Sequence, residues 1–443
     1  MKYSLISLGC PKNQVDSENL LGRLGFSGHD FTDLEEADVI LINTCSFIES
    51  AKAESVETIL DAVSTGKRVL VMGCLPARYM RELKQDLPEV EAFFGVGEEE
   101  RILQHLGIES PVSYQSCLPV NRSLLNPSHY AYLKVAEGCD NRCTYCAIPS
   151  IRGPYISRAP DLLVAEAEKL AKNGVKELII VAQDTTAYGK DLRSSRPDQN
   201  LEGLLRILST LGFRWIRIMY AYPDAITESL LDLIRSTKNI CTYLDIPLQH
   251  SEPSVLLRMG RRRSEVVDPR HLVEKIRGML PDVVIRSSFI VGFPGETEKE
   301  FEGLLDFIQE TELERVGAFM FSKEEGTPAA AMTGQVPEGL IKERLDRLMG
   351  LQAEISYKRG LKSVGSVQDV LIDECDGNTA IGRTSADAPE IDCNVIVRSN
   401  LSPGDFVKVR ITEAQDYDLI GSLEVESQQE TGIPNMRKKL RHA

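Results

Sequence analysis

The sequence has no apolar run long enough to cross a bilayer, which takes about 20 consecutive residues. An export leader is not expected either. MKYSLISLGCPKNQVDSE offers one early lysine and then only a few apolar residues, short of the apolar core a leader requires. The expectation is a soluble, cytoplasmic protein. Positive charge is scarce as well: Lys and Arg number 51 against 66 Asp and Glu, a net charge of −15. That balance argues against a broad nucleic-acid footprint. It suits a basic protein partner, and equally a surface that is acidic only for solubility. Ten cysteines in 443 residues do not make a disulfide framework in a reducing cytosol. Thiols that cluster point instead to metal binding or catalysis.

At this length two or three domains are expected. Over residues 1–108, strands at SLISLG (4–9), DVILINTC (38–45) and RVLVMGC (68–74) alternate with amphipathic helical stretches. This pattern predicts βαβ units and a doubly wound parallel sheet. Residues 109–129, with prolines, serines and asparagines but no period, read as a linker. From 130 to 360 the alternation resumes for six rounds, with strands at 130–138, 177–184, 215–222, 243–249, 283–293 and 315–321. Six rounds predict a partial (βα)6 barrel with its chemistry at the C-terminal ends of the strands. A long helix over 336–360 leads out. Short strands split by turns over 361–428 predict a small all-β, OB-like barrel, and 429–443 forms a basic tail. The fold class is therefore α/β with an appended β-barrel.

Three cysteines stand at C-x3-C-x2-C spacing in EGCDNRCTYCAIPSIRGP, namely Cys139, Cys143 and Cys146, just after the first barrel strand. Four-iron clusters normally take four thiolates. Three in one short loop leave an iron open, and an open position is where a metal site binds substrate. In radical S-adenosylmethionine enzymes the open iron chelates the methionine end of that cofactor, and reductive cleavage yields a deoxyadenosyl radical. Tyr145 fits the aromatic usual in such loops. The plainer readings are a zinc knuckle or reduced structural thiols, but zinc sites add a second C-x2-C or histidines, and only His129 lies nearby.

A second set, Cys10, Cys45 and Cys74, is dispersed along the chain. Cys10 follows the first strand, and Cys45 and Cys74 end the second and third; in an open parallel sheet those ends share one edge, where ligands bind. Each also precedes a turn or a helix start, where backbone N–H groups favour thiolates. Three buried thiols acting as small hydrophobes are the alternative. Cys117, Cys241, Cys375 and Cys393 show no ligand spacing. Gln183, Arg217, Gln249 and Arg286 lie on or near strand ends, placed for cofactor or substrate and as easily structural. GFPGET (292–297) is either a turn approaching the cofactor or a plain strand–helix connection.

Over nearly its whole length the chain resembles the methylthiotransferase family of radical S-adenosylmethionine enzymes. The likeness rests on SLGCPKNQVDSE, INTCSFIESAKAES, MGCLPARY, GCDNRCTYCAIPSIRGP, AQDTTAYG, YLDIPLQHSEPSVLLRMGR and RSSFIVGFPGETEKEF. It implies an N-terminal domain whose Cys10, Cys45 and Cys74 hold an auxiliary 4Fe-4S cluster. It further implies a radical domain whose Cys139, Cys143 and Cys146 hold a second one that binds S-adenosyl-L-methionine, and a C-terminal TRAM barrel. Flavodoxin or ferredoxin is the kind of electron donor implied. GCPKN rather than a GCQMN-like form, IPSIRGP rather than a VPYTRGR-like form, and NTCSFI resemble the branch that methylthiolates the β-carbon of an aspartate in small-subunit ribosomal protein S-twelve. In that reaction one S-adenosylmethionine supplies the methyl group to sulfur and a second supplies the radical that takes hydrogen from the substrate. The other branch modifies an adenosine of tRNA. A non-catalytic iron–sulfur or zinc protein that binds ribosomes is the reading from a different class. The small barrel carries five basic residues (Lys362, Arg383, Arg398, Lys408, Arg410) against thirteen acidic ones over 361–426. RNA affinity is drawn from Lys and Arg on phosphates, so this balance makes tRNA the less expected partner and suits a basic protein. Only the tail (Arg437, Lys438, Lys439, Arg441) favours RNA.

Overall fold

The structure, a computed structural model, describes residues 1–108, 122–192, 199–261 and 268–424. Cys117, most of the expected linker, the end of the small barrel and the basic tail lie outside the described residues.

Strands β1 (Lys2–Ser7), β2 (Asp30–Phe31), β3 (Val39–Thr44), β4 (Arg68–Gly73) and β5 (Ala92–Phe94) form a five-stranded sheet in the order β2-β1-β3-β4-β5. All its pairings are parallel. Helices α1 (Pro11–Phe26), α2 (Glu49–Ser64) and α3 (Cys74–Asp86) follow β1, β3 and β4. Both faces are covered. Leu20, Leu21 and Leu24 of α1 pack with Leu41 and Leu70 on one side, and Ile59 and Leu83 pack with Ile40 and Val71 on the other. Every residue of β3 is accordingly buried. In this strand order the chain reverses direction between β1 and β3, and the crevice for ligands opens at their C-terminal ends.

The second sheet joins β6 (Tyr130–Lys134), β9 (Glu177–Val181), β10 (Trp215–Ile218), β11 (Ile240–Asp245), β12 (Val284–Val291) and β13 (Arg315–Met320) in strict succession. Two short strands, β7 (Ala136–Glu137) and β8 (Ile156–Ser157), pair beside it. The sheet is parallel throughout and open between β6 and β13, as six βα rounds predict. Most expected strands overran their ladders. The 130–138 strand breaks after Lys134, and the 215–222 strand stops at Ile218, because Tyr220 turns to a φ of +59°. The 243–249 strand begins earlier, at Ile240, and ends at Asp245.

After a helix spanning Glu338–Ser363, strands β14 (Val367–Asp376), β15 (Thr379–Arg383), β16 (Val395–Val397), β17 (Phe406–Ala414) and β18 (Leu419–Leu423) close into a barrel around Val370, Ile372, Val395, Val397, Val409 and Ile411. This barrel sits against the N-terminal ends of the radical-sheet strands. Trp215 meets Phe406 edge-on at 4.8 Å, the His129 Nε2 lies 2.8 Å from Asp373, and Tyr130 donates its hydroxyl to Glu390 at 3.0 Å. The opposite, C-terminal ends of those strands face the first domain. There α1 packs on β6, and Arg78 of α3 pairs with Glu324 at 2.8 Å.

Candidate active site between the first two domains

Cys10 precedes α1, whose first residue is Pro11, a proline that needs no hydrogen bond there and pre-sets the helical φ. One turn in, Asn13 donates to the carbonyls of Leu8 (3.1 Å) and Thr44 (2.9 Å), tying the ends of β1 and β3 together. Its amide oxygen lies 3.9 Å from the Cys10 thiol and 3.7 Å from the Cys74 thiol. Cys45 closes the group. At Gly9 the backbone takes a φ of +89° and passes so near that a Cβ there would stand 2.8 Å from the Cys45 Cβ and 3.2 Å from its sulfur. The dispersed cysteines are thus gathered at the reversal point of the sheet. Cys10 and Cys74 sit at helix starts, whereas Cys45 is four residues short of α2.

Their electrostatics differ. Burial alone raises the Cys10 thiol, but the Lys12 ammonium, the Arg152 guanidinium and the N–H groups of Asn13 and Lys12 outweigh it and hold it below its usual value. Burial pushes the Cys74 thiol up to about 11, against the pull of Arg152. Burial raises Cys45 too. Arg152 belongs to the second domain and reaches across with a guanidinium nitrogen 3.5 Å from the Cys74 sulfur.

The compact set occupies the loop after β7. Gly138, at φ +76°, lies with no room for a Cβ against the Gly153 and Pro154 carbonyls, and Cys139 donates its N–H to Gly153 at 3.2 Å. Thr144 anchors the middle of the loop, its N–H on the Met259 carbonyl (2.9 Å) and its hydroxyl on the Arg258 carbonyl (2.9 Å). Cys146 donates its N–H back to Cys143 at 3.1 Å. Burial lifts the Cys146 thiol to about 12, and the neighbouring Cys143 and Cys139 sulfurs add to the rise. Tyr145 stands edge-on to Phe293, and its hydroxyl accepts from Arg261 at 3.2 Å.

The two sets face each other. The helix Ile148–Arg152 begins two residues after Cys146. Ala147 and Ile151 pack on Cys74, and Arg152 ends the helix beside it. Across the gap, Tyr220 and Tyr222 follow β10. The Lys12 ammonium lies 3.5 Å from the centroid of the Tyr220 ring, and the Arg261 guanidinium 4.6 Å from that of Tyr222. Lys12, Asn13, Arg152, Tyr220 and Arg261 were given no role by sequence reasoning. The signal lay in the quoted motifs: GCPKN and IPSIRGP contain the first three, and YLDIPLQHSEPSVLLRMGR ends on Arg261.

The other candidates divide. Gln183 donates to Glu137 at 2.7 Å, and its own side-chain oxygen is buried without a partner. Gln249, at φ +72°, bridges to Phe289 of β12 through its backbone. Arg217 is fully buried toward the small barrel, bonded to Glu177 (2.8 Å) and to the Ser385 carbonyl (3.0 Å). Arg286 joins Asp245 (2.9 Å) to Asp392 of the small barrel (3.1 Å). Both arginines serve structure. GFPGET is a strand–helix connection: the Gly292 backbone lies on Ile341, Glu296 is buried against Arg344, and Thr297 caps the next helix with Glu300. His129 is bound to Asp373 at the far end of β6, away from the cysteines. Cys241 is buried in the radical sheet, Cys393 is buried and Cys375 partly exposed in the small barrel. Among the described residues no three His, Cys, Asp or Glu groups are drawn to the spacing of a single bound ion. A larger body ringed by thiols, such as an iron–sulfur cluster, is the fit to judge. Thiol-only donors, Arg152 and Lys12 beside one set, Arg261 beside the other, and an orphaned Gln183 oxygen are consistent with that fit.

Family models match in chain order: "Uncharacterized protein family UPF0004" over residues 2–95, the radical SAM superfamily over 133–308 and the TRAM domain over 364–423. The ribosomal protein uS12 methylthiotransferase RimO of Geotalea uraniireducens is 47% identical over 95% of this chain and 98% of its own length. The protein of that name from Clostridioides difficile is 44% identical over 96% and 99%. The chain belongs to the uS12 methylthiotransferase family. As a member of it, it is a radical S-adenosylmethionine methylthiotransferase, a transferase whose chemistry uses S-adenosylmethionine and 4Fe-4S iron–sulfur clusters. The fold is also that of the radical S-adenosylmethionine methyltransferase TsrM from Kitasatospora setae, with a TM-score of 0.51 at 14% identity over 85% of this chain and 81% of that one. No helix among the described residues is long and apolar enough to cross a membrane.

Proposed function

We propose that the chain methylthiolates the β-carbon of an aspartate in ribosomal protein uS12, with Cys10, Cys45 and Cys74 holding one 4Fe-4S cluster and Cys139, Cys143 and Cys146 holding the one that binds S-adenosylmethionine. The supporting observation is that the two cysteine sets face one gap, joined by Ile148–Arg152 and bordered by Tyr220 and Tyr222. When bound, the cofactors supply a carbon-centred radical on one side and methylated sulfur on the other. The chain's residues set the geometry. Arg152 and Lys12 place positive charge beside the first set, and Arg261 and Tyr145 brace the second. Tyr220 and Tyr222, two residues apart after β10, lie beside Cys10 of the first set and Cys143 of the second. Hydrogen-atom transfer needs no general base, and none is assigned. The domains are taken as 1–108, 130–360 and 361–428, the setting as the cytoplasm and the reductant as a flavodoxin or ferredoxin. Mass spectrometry of uS12 and tRNA from a strain lacking the gene tests this reading. A uS12 peptide that loses its methylthio group supports it, whereas loss on tRNA with uS12 unchanged overturns it. Iron and sulfide analysis of each triple-alanine variant tests the ligand sets, with about half the iron expected to remain in each.

A further inference from the structure

The cations around the gap differ in what holds them. Arg152 is neutralised by Glu137 at 2.8 Å and Asp16 at 3.4 Å. Lys134 is paired with the same two carboxylates. Arg261 donates to the Pro247 carbonyl at 2.7 Å and to the Tyr145 hydroxyl. Lys12 is the exception. Its side chain is 8% exposed, yet among the described residues no carboxylate stands within ion-pair distance of it. Its neighbours are the Tyr220 ring, 3.5 Å below the ammonium, and the Cys10 thiol. A buried ammonium is costly unless charge compensates it; the tyrosine face and the Cys10 thiolate offset part of that cost, and among the described residues no carboxylate adds to them.

The position is equally particular. Lys12 sits two residues from Cys10, on the first turn of α1, and crosses from the first domain to the segment after β10. Tyr220, which receives it, is held in its left-handed conformation by its N–H on Asp245 (3.0 Å) and by its carbonyl, which accepts from Thr185 at 3.0 Å. The platform beneath the ammonium is therefore tied on both sides of its backbone, and the ammonium itself lies beside Cys10 of the first cysteine set. A ligand that completes this site carries a negative charge on a small planar group and presents a carbon beside it. The γ-carboxylate of an aspartate whose β-carbon is attacked has that form.

We propose that Lys12 recognises the carboxylate of the substrate aspartate and so fixes the adjacent β-carbon in the gap. The inference rests on the reading of uS12 as substrate. A charge-assisted contact of this kind is worth about a 10- to 100-fold difference in affinity.

The test uses anaerobically purified holoenzyme and two peptides spanning the uS12 target, one with aspartate and one with asparagine at the modified position. Binding is followed by fluorescence anisotropy and turnover by mass spectrometry. Wild type is expected to bind the aspartate peptide 10- to 100-fold more tightly. The Lys12→Met variant, close in length and neutral, is expected to lose that preference, and Lys12→Arg to keep most of it. Iron content reports whether each variant is loaded. Equal binding of the two peptides by wild type overturns the proposal without any variant. So does a Lys12→Met enzyme that still prefers aspartate. Wild type that leaves uS12 unmodified overturns the substrate reading itself, and the inference with it.

Discussion

Glu177 is the point at which removing one charge should disturb the whole lower half of the radical domain. Its carboxylate is fully buried and accepts from Arg217 and Arg383, each at 2.8 Å. Arg383 has a second carboxylate, Asp373, at 2.6 Å. Among the described residues Arg217 has no other carboxylate partner, and one of its guanidinium nitrogens lacks any hydrogen bond. The Glu177→Gln substitution keeps the shape and leaves Arg217 as a buried cation beside another. Breaking a buried pair from one side costs about 3–5 kcal/mol. The Tyr243 ring, 4.5 Å from the Arg217 guanidinium, and the remaining partner of Arg383 place the expected loss near 3 kcal/mol. The protein's single tryptophan reports it directly, since Trp215 begins β10 and packs on Phe406 of the small barrel. In urea, with a slope of about 2 kcal/mol per M, the fluorescence transition should move down by roughly 1.5 M. A Glu177→Leu/Arg217→Met double variant removes both members and leaves Arg383 with Asp373, so it should recover most of the loss. A single-variant loss below about 1 kcal/mol, or a double variant no better than the single, refutes the reasoning.

Gly9→Ala is expected to cost iron at the first cysteine set. The φ of +89° strains any side chain there, and the added carbon lands 2.8 Å from Cys45, so elemental analysis should show close to half the wild-type iron, with the second set retained. Burial, and then the charge of Asp16, raise Glu99 from 4.5 to about 7. A carboxyl whose folded value is raised favours the folded state at low pH, and that favour is lost as pH climbs from 4.5 to about 7. Glu99→Gln should therefore change stability little at pH 4.5 and raise it by roughly 2–3 kcal/mol at pH 8, read from urea midpoints at the two pH values. An equal effect at both refutes the assignment.

The βα alternation was legible because parallel strands buried on both faces leave near-continuous apolar runs, as β3 and β9 do. The same property blurred the strand ends. Ala221, Ile246 and Leu248 are as buried as the strands before them, so the apolar pattern runs on after the ladder stops. β2 was missed because its two residues are exposed and pair only along one edge. The compact cysteines announced themselves by spacing. The dispersed ones needed the rule that parallel strands share an edge, and their closeness depends on Asn13 and Gly9, which spacing does not reveal. Arg217 and Arg286 stood open between a site and a structural role because they lie on barrel strands. Their partners, Glu177, Ser385, Asp245 and Asp392, are distant in sequence, so their structural role became visible only in three dimensions.

The placement of the small barrel changes what its acidity means. Its net charge suited the steering of a basic protein, but several of its carboxylates face inward. Asp373 binds His129 and Arg383, Asp387 binds Arg315, Asp392 binds Arg286 and Tyr243, and Glu390 accepts from Tyr130. These four close the N-terminal ends of the radical strands, opposite the ends that carry the cysteines. Charge counted over the domain therefore overstates the field it presents to solvent, which falls to exposed groups such as Glu374, Asp376, Glu413 and Asp416. The same contacts give the domain a second consequence for the site. Asp392 holds Arg286, Arg286 holds Asp245, and Asp245 holds the backbone of Tyr220 on which Lys12 rests. A domain remote from the cysteines thus bears on the geometry of the gap through three charged side chains in direct contact, so its acidic residues matter to the reaction through position before any question of partner recognition arises.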